Sequence, residues 1–139
     1  MLDTNIIVSA IISKNGRMSL AIKEIIRLYK ICICTFSIEE LHLVMDRKFP
    51  NRVNDMEIFL NELDYELLNT PKNLPIEAIP YVRDEKDRPI LATAILADVD
   101  VLLTGDDDLL AVDITRPKII NAKDFQLTYL LIPGDPPGQ

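Results

Sequence analysis

Short apolar segments of strand-like composition alternate with helical segments along this chain of 139 residues. The strand-like segments lie at the start of the chain, at 31–35, near 66–68, at 99–104 and at 118–120. This alternation favours a parallel sheet, because each connection between parallel strands carries a helix across a face of the sheet. The sequence therefore predicts an α/β fold, a three-layer sandwich whose central, mainly parallel sheet of about five short strands is flanked by helices.

Capping residues and apolar periodicity place the predicted helices. The polar residues at 3–5 are good N-caps, so a helix is expected directly after a short first strand. Ser19 is the expected start of the second helix and Ser37 that of the third. The inner face of the second helix is predicted to carry Leu20, Ile25, Ile26 and Leu28. The predicted helices cover 6–12, 20–28, 38–48, 52–63, 89–97, 107–111 and 122–131.

The length of the chain suits one domain with its own core. We expect this domain to cover residues 1–132. The segment 70–80 contains three prolines and is interpreted as a connector on the surface, not as a domain boundary. Residues 133–139 contain three prolines and two glycines and are expected to form a disordered C-terminal tail.

The formal net charge of -7 argues against a protein that binds nucleic acid through bulk positive charge. It is compatible with an enzyme that binds nucleic acid locally while cations mask its acids. Neither a membrane-spanning apolar run nor a signal peptide is recognisable, so the expected location is the cytoplasm. Cys32 and Cys34 alternate with Ile31 and Ile33, which predicts small core residues on one face of a strand in a reducing compartment. Their spacing matches neither a zinc site nor a redox pair.

Two acids from opposite ends of the sequence follow predicted strands. Asp3 follows the short first strand, and Asp106 follows the strand at 99–104. Ligands of open α/β sheets bind beyond the carboxyl ends of the strands, so these two acids are expected to share a crevice. The alternative for each is an N-cap, because each directly precedes a predicted helix.

Two further acidic positions have similar alternatives. Asp87 precedes the helix that has Pro89 in its first turn, and it could therefore be a cap. Glu39 and Glu40 point about 100° apart on their helix, so only one of them can face the sheet. The alternative for both is a solvated helix face.

Carboxylates without histidine or cysteine partners are the ligand set that Mg²⁺ or Mn²⁺ prefers. His42 is the only histidine and is expected to be a packing or surface residue, which argues against a zinc site. The chain contains no G-x-S-x-G elbow, no P-loop and no G-x-G-x-x-G motif. The acidic positions therefore predict a site for a hard cation.

Four short blocks of this sequence resemble the acidic blocks of PIN-domain nucleases, in particular the VapC-like toxin components of toxin–antitoxin pairs. The blocks are Leu2–Asn5, Ser37–Leu41, Arg83–Pro89 and Leu103–Leu110. They occur in the family's order over about residues 2–131, which is nearly the whole chain.

This resemblance implies that Asp3, Glu40, Asp87 and Asp106 are the family's four acidic positions and that Asp108 is a less regular fifth. It also implies cleavage of single-stranded RNA that depends on Mg²⁺ or Mn²⁺, a homodimer, and inhibition by a small antitoxin. Glu40 is preferred to Glu39 because it directly precedes Leu41, as in the family motif.

The sequence departs from the family pattern at two other places. The chain starts two residues before Asp3, whereas relatives have a longer first strand, so we expect the amino terminus to be truncated. Arg88 stands where many relatives carry another acid, which would alter metal occupancy.

The mechanism that follows from this resemblance is metal-assisted hydrolysis of a phosphodiester bond. Asp3, Asp87 and Asp106 would hold one or two ions, and Glu40 would bind directly or through water. Asn5 and Thr104 are expected to orient the ligands or a metal-bound water. Because crowded carboxylates repel one another, at least one of them should have a raised pKa in the metal-free protein.

Two basic clusters are candidates for RNA contact, with a solvated surface as the alternative. Lys23, Arg27 and Lys30 share a helical stripe, and the second cluster comprises Arg47, Lys48 and Arg52. No aromatic residue is clearly interleaved with these basic groups, so a base-stacking platform is not predicted.

Two other functions compete with the nuclease. One is a catalytically silent PIN-like module that binds RNA or a protein partner. The other is a phosphotransfer or phosphatase domain, which is less well supported. Asn5 occupies the position of the second aspartate that such phosphatases use, and Lys118 begins its strand instead of following it, unlike the lysine of a receiver domain.

Overall fold

Helices and short parallel strands alternate in the computed structural model, which describes residues 1–13, 16–73 and 76–130. The strands are β1 (Ile31–Cys34), β2 (Tyr65–Leu68), β3 (Val101–Leu103) and β4 (Lys118–Ile120). The helices are α1 (Thr4–Ile12), α2 (Arg17–Leu28), α3 (Thr35–Lys48), α4 (Val53–Glu62), α5 (Arg88–Leu96), α6 (Asp107–Leu110) and α7 (Ala122–Phe125). Short 3₁₀ turns cover Pro50–Arg52, Ile76–Ala78 and Glu85–Asp87, and a π-helical turn, Gln126–Leu130, follows α7.

The amino-terminal segment joins two pairs of parallel strands into one sheet. β1 pairs with β2, and β3 pairs with β4. The Leu2 N–H donates to the Cys32 carbonyl at 3.0 Å, the Leu103 N–H donates to the Met1 carbonyl at 2.9 Å, and the Asp3 N–H donates to the Leu103 carbonyl at 3.0 Å. The order across the sheet is therefore β2, β1, the amino-terminal segment, β3 and β4.

The expected first strand is reduced to a single bridge between Leu2 and Leu103. The described residues consequently contain four strands and not about five. A segment that passes directly into α1 at Thr4 is too short to form a longer ladder.

Side chains of each strand alternate between two cores on opposite faces of the sheet. Ile31 and Ile33 pack into one core with α1, α2, α3, α4 and α7, whereas Cys32 and Cys34 face the other with α5 and α6. This is the period of two that a pleated strand imposes. It confirms the three-layer α/β architecture and the prediction that the two cysteines share one face, where Cys34 is buried and Cys32 is half-buried against the core.

The predicted start and inner face of α2 were partly wrong. The helix begins at Arg17 with Gly16 as N-cap, so Ser19 lies inside it. Its buried residues are Ser19, Ala21, Ile22 and Ile25. Of the predicted inner residues only Ile25 is buried, whereas Leu20, Ile26 and Leu28 are exposed. Ala21, Ile22 and Ile25 share one side of the helix at helical spacing, and this side packs against α1.

The third helix also begins earlier than predicted. The N-cap of α3 is Cys34, and Ser37 lies within the helix, where its hydroxyl is 3.2 Å from the Cys34 Sγ. The strand therefore passes into the helix without a linker, which places the first turns of α3 at the carboxyl end of β1. Its end at Lys48 is as predicted.

The predicted helix over 52–63 is preceded by a 3₁₀ turn and begins at Val53, and the last helix gives way to a π-helical turn after Phe125. The predicted tail and the end of the predicted domain, at 132, lie outside the described residues. Within the described ranges, no helix combines the length and the apolar character that crossing a membrane requires.

Candidate metal and active site at the carboxyl ends of the strands

Asp3 lies where the amino-terminal segment leaves the sheet, and only 3% of its surface is exposed. Its Oδ1 accepts the Thr4 N–H at 2.8 Å, so Asp3 is the N-cap of α1. Its Oδ2 accepts the hydroxyl of Thr104 at 2.7 Å. The same Thr104 hydroxyl accepts the Asp106 N–H at 3.0 Å. One buried hydroxyl thus connects the two acids that follow neighbouring strands.

Asp106 is the N-cap of α6, and its Oδ1 accepts the Asp108 N–H at 2.8 Å. Asp3 and Asp106 therefore both have the capping role that was the alternative for them. Capping orients each carboxylate in a defined direction and leaves further oxygen lone pairs that could bind a cation. The cap and ligand interpretations are compatible in this structure.

Asp87 ends the 3₁₀ turn that precedes α5, and its side chain makes no capping hydrogen bond. The residue is 7% exposed, and its Oδ2 is buried without a hydrogen-bond partner among the described residues. Burial raises the pKa of Asp87 to about 7, with further increases from the charge of Asp106, a hydrogen bond to Asp106, and the charges of Asp3 and Asp84. The expected rise of a carboxyl pKa in the metal-free site is found here.

Glu40 is the member of the glutamate pair that faces this site. It is half-buried, whereas Glu39 is exposed. The pKa of Asp3 is raised mainly by burial, lowered by the hydrogen bonds from Thr104 and Thr4, and raised again by the charges of Glu40 and Asp106. The carboxylates of Asp3, Glu40, Asp87 and Asp106 are therefore electrostatically coupled.

Asp84 was missed by the sequence analysis. One oxygen from each of Asp84, Asp87 and Asp108 lies within 4.8 Å of the others. Asp84 is the N-cap of the 3₁₀ turn and accepts the Lys86 N–H at 3.0 Å. Its spacing of three residues from Asp87 was the available signal, because side chains three apart project to the same side of a 3₁₀ helix.

Arg83 forms a two-pronged ion pair with Asp108. The Arg83 Nε donates to Oδ1 at 2.6 Å, and Nη2 donates to Oδ2 at 2.9 Å. The hydrogen bonds and the charge of Asp108 raise the pKa of Arg83 above its ordinary value. Arg88, which stands where the family pattern suggests an acid, has its Nη1 3.8 Å from the Glu85 carboxylate.

Most of the predicted RNA-contact residues lie away from the acids. Arg47 and Lys48 are exposed at the end of α3, about 10–12 Å along the helix from Glu40 at 1.5 Å per residue. Lys23 and Arg27 are exposed on α2, where Arg27 pairs with Glu24 at 2.8 Å. Their contact with RNA stays a prediction.

Two other members of the basic clusters have structural partners. Lys30 pairs with Glu66 at 2.9 Å beside the amino ends of β1 and β2, the edge of the sheet opposite the acids. Arg52 pairs with Asp55 and donates to the Ile11 carbonyl at 2.9 Å, near the end of α1. Asn5 is exposed on the first turn of α1, so its orienting role also stays a prediction.

The donor set of this site fits a hard divalent cation. Its ligand atoms would be carboxylate oxygens, and a buried carboxylate oxygen without a partner is costly unless a cation or proton satisfies it. The site contains several acids whose mutual repulsion a cation would relieve. Asp87 and its neighbours can thus hold Mg²⁺ or Mn²⁺ on the chemistry of their side chains.

Comparison with known proteins agrees with this architecture. Residues 1–108 match the family model described as PIN domain. The fold is similar to a chain in the crystal structure of VapBC2 from Rickettsia felis bound to a DNA fragment from their promoter. That similarity has a TM-score of 0.66 at 19% sequence identity and covers 87% of this chain and 96% of the other. No curated protein sequence showed a significant match.

Proposed function

The chain belongs to the PIN-domain family, and from this premise we propose that it is a metal-dependent ribonuclease that hydrolyses phosphodiester bonds of single-stranded RNA. The observation that carries the proposal is the Asp87 carboxylate. It is buried, one of its oxygens has no hydrogen-bond partner among the described residues, and the charges of Asp3, Asp84 and Asp106 act on it. A structural carboxylate would be expected to have partners for both oxygens.

Asp3, Asp87 and Asp106 are the proposed ligands of Mg²⁺ or Mn²⁺, with Glu40 binding directly or through water and Asp108 as a further ligand. When bound, such an ion would supply Lewis-acid stabilisation of the reacting phosphate and a more acidic water. The protein's contribution is orientation. Thr104 holds the Asp3 carboxylate and the Asp106 backbone together, and the Asp108 N–H fixes the rotamer of Asp106.

We further propose that the protein acts in the cytoplasm as the toxin of a toxin–antitoxin pair. Support comes from the resemblance of its acidic blocks to VapC-like toxins and from the fold shared with the VapBC2 chain. A homodimer and a small antitoxin partner belong to this proposal. Coexpression of the chain with a candidate antitoxin, followed by growth and RNA cleavage assays, would test it.

The direct test of the ribonuclease is calorimetric titration of Mn²⁺ together with cleavage of single-stranded RNA by the same samples. Asp106→Asn is the decisive variant, because asparagine also caps helices and should preserve the fold. Asp107→Asn is the matched control, since Asp107 is the exposed neighbour.

We expect Asp106→Asn to lose metal binding and cleavage while Asp107→Asn keeps both. Cleavage by Asp106→Asn at the wild-type rate would contradict the proposed ligand set. Metal binding without cleavage of any single-stranded RNA would contradict the ribonuclease and support a silent binding module.

A further inference from the structure

Arg83 forms an ion pair with one acid of the candidate metal site, Asp108. Its guanidinium binds both oxygens of Asp108, at 2.6 and 2.9 Å. Such a fork is the geometry in which arginine best matches a carboxylate. In this structure, the guanidinium is therefore hydrogen-bonded to both of the oxygens through which Asp108 would bind an ion.

Asp108 is also part of the cluster with Asp84 and Asp87, whose oxygens approach within 4.8 Å. Asp87, a member of this cluster, has a buried Oδ2 without a hydrogen-bond partner among the described residues, an atom that a bound cation would satisfy. A guanidinium and a divalent ion bound to one carboxylate would repel each other at this range.

The ion pair is also easily broken. The Arg83 side chain is 78% exposed, whereas that of Asp108 is 18% exposed. An exposed arginine has water as a replacement partner, so such a pair contributes little net stability. Asp108, the less exposed member of the pair, lies beside Asp84 and Asp87.

We propose that Arg83 is a tethered cation that competes with the divalent ion for Asp108 and so lowers the affinity of the site for metal. The inference rests on the proposed function in one respect, that the acids bind a divalent ion. It adds that coordination of the ion by Asp108 requires Arg83 to release that carboxylate. Metal affinity is then set partly by a side chain that is not itself a ligand.

An orienting role for Arg83 would have the opposite consequence. An arginine that only holds Asp108 in position would strengthen metal binding, as hydrogen-bond partners of metal ligands commonly do. Removing it would then weaken binding. The sign of the change in affinity therefore distinguishes competition from support.

The experiment is titration of Mn²⁺ into the full chain at low ionic strength, comparing the wild type with Arg83→Gln. We expect the variant to bind Mn²⁺ about two- to fivefold more tightly, the range that an exposed ion pair can contribute. Thermal denaturation with and without Mn²⁺ provides a second readout, because a tighter ion raises the melting temperature further.

Three further variants control this comparison. Lys86→Gln removes the same charge from an exposed neighbouring residue and measures the general effect of charge. Arg116→Gln removes a guanidinium that bridges Asp98 and Asp100 at the amino end of β3, away from the site. Arg83→Lys keeps the charge but loses the fork, and its affinity should lie between those of the wild type and Arg83→Gln.

Unchanged or weaker Mn²⁺ binding by Arg83→Gln would overturn the inference and leave the metal site intact. If Lys86→Gln tightens Mn²⁺ binding as much as Arg83→Gln does, the effect comes from net charge and the inference is likewise overturned. If the wild-type chain binds no Mn²⁺, the metal site itself is wrong and the inference falls with it.

Discussion

The Thr104 hydroxyl donates a hydrogen bond to the Asp3 carboxylate at 2.7 Å, across 101 positions of the sequence. The same oxygen accepts the Asp106 N–H, so a single buried atom holds two proposed ligands in register. Both contacts follow from the sheet, in which the amino-terminal segment and β3 are neighbours and end side by side.

Replacing Thr104 with valine should disturb the site without changing its volume greatly. The substitution leaves the buried Asp3 oxygen and the Asp106 N–H without this partner, a loss of about 1–3 kcal/mol in the free energy of unfolding. We expect lower Mn²⁺ affinity as well, measured by titration alongside urea denaturation. Thr104→Ser, which keeps the hydroxyl, is the control, and equal behaviour of the two variants would contradict the role of the hydrogen bonds.

The raised pKa of Asp87 predicts how the metal-free protein responds to pH. In the unfolded chain the group titrates near 3.8, whereas in the folded protein it titrates at about 7. Between these values the folded state holds more protons than the unfolded one, so the free energy of unfolding falls as pH rises through this window. The raised pKa of Asp3 acts in the same direction.

Asp87→Asn should therefore flatten this pH dependence and exceed the wild type in stability at pH 8 in the presence of a chelator. Urea midpoints of both proteins between pH 5 and 8 measure the effect. A wild-type slope that survives unchanged in the variant would show that other groups cause it. Metal binding, which requires the deprotonated carboxylate, should weaken below about pH 7.

Glu40 and Glu39 form a matched pair for testing which glutamate belongs to the site. Glu40 is half-buried and its charge acts on Asp3, whereas Glu39 is exposed. Glu40→Gln should reduce both Mn²⁺ affinity and RNA cleavage, and Glu39→Gln should change neither by more than about twofold, as is usual for an exposed surface position. A larger effect of Glu39→Gln, measured in the same two assays, would reverse the assignment.

The basic residues at the end of α3 can be tested by the salt dependence of RNA binding. If Arg47 and Lys48 each neutralise one phosphate, the double change to glutamine should lower the slope of log affinity against log salt by about 1.4. Single-stranded RNA binding to the Asp106→Asn protein, measured by fluorescence anisotropy, avoids cleavage. The control is Lys30→Gln with Arg116→Gln, two cations paired with acids elsewhere. An unchanged slope would identify Arg47 and Lys48 as solvated surface residues.

Local sequence signals predicted the architecture and the approach of two acids from distant parts of the chain. The alternation of strands and helices predicted the three layers, and the period of two in β1 placed its cysteines and isoleucines on opposite faces. The position of Asp3 and Asp106 directly after strand-like segments predicted their meeting. The meeting of the two acids could be predicted because parallel strands bring their carboxyl ends to one edge of the sheet, whatever the details of side-chain packing.

Tertiary packing alone decided the rest. Ala21, Ile22 and Ile25 share one side of α2 at helical spacing, but contact with α1 decides that this side, and not Leu20 or Leu28, is buried. The candidate metal site joins two parts of the chain that are distant in sequence. Side chains from the segment that ends in the 3₁₀ turn, Arg83, Asp84 and Asp87, meet Asp108 of α6 only in the folded chain. The alternation of side chains in β1 and the caps Asp3 and Asp106 depend on neighbours within a few positions, and the sequence determined them. Burial and electrostatic coupling depend on residues that only the folded chain brings into contact.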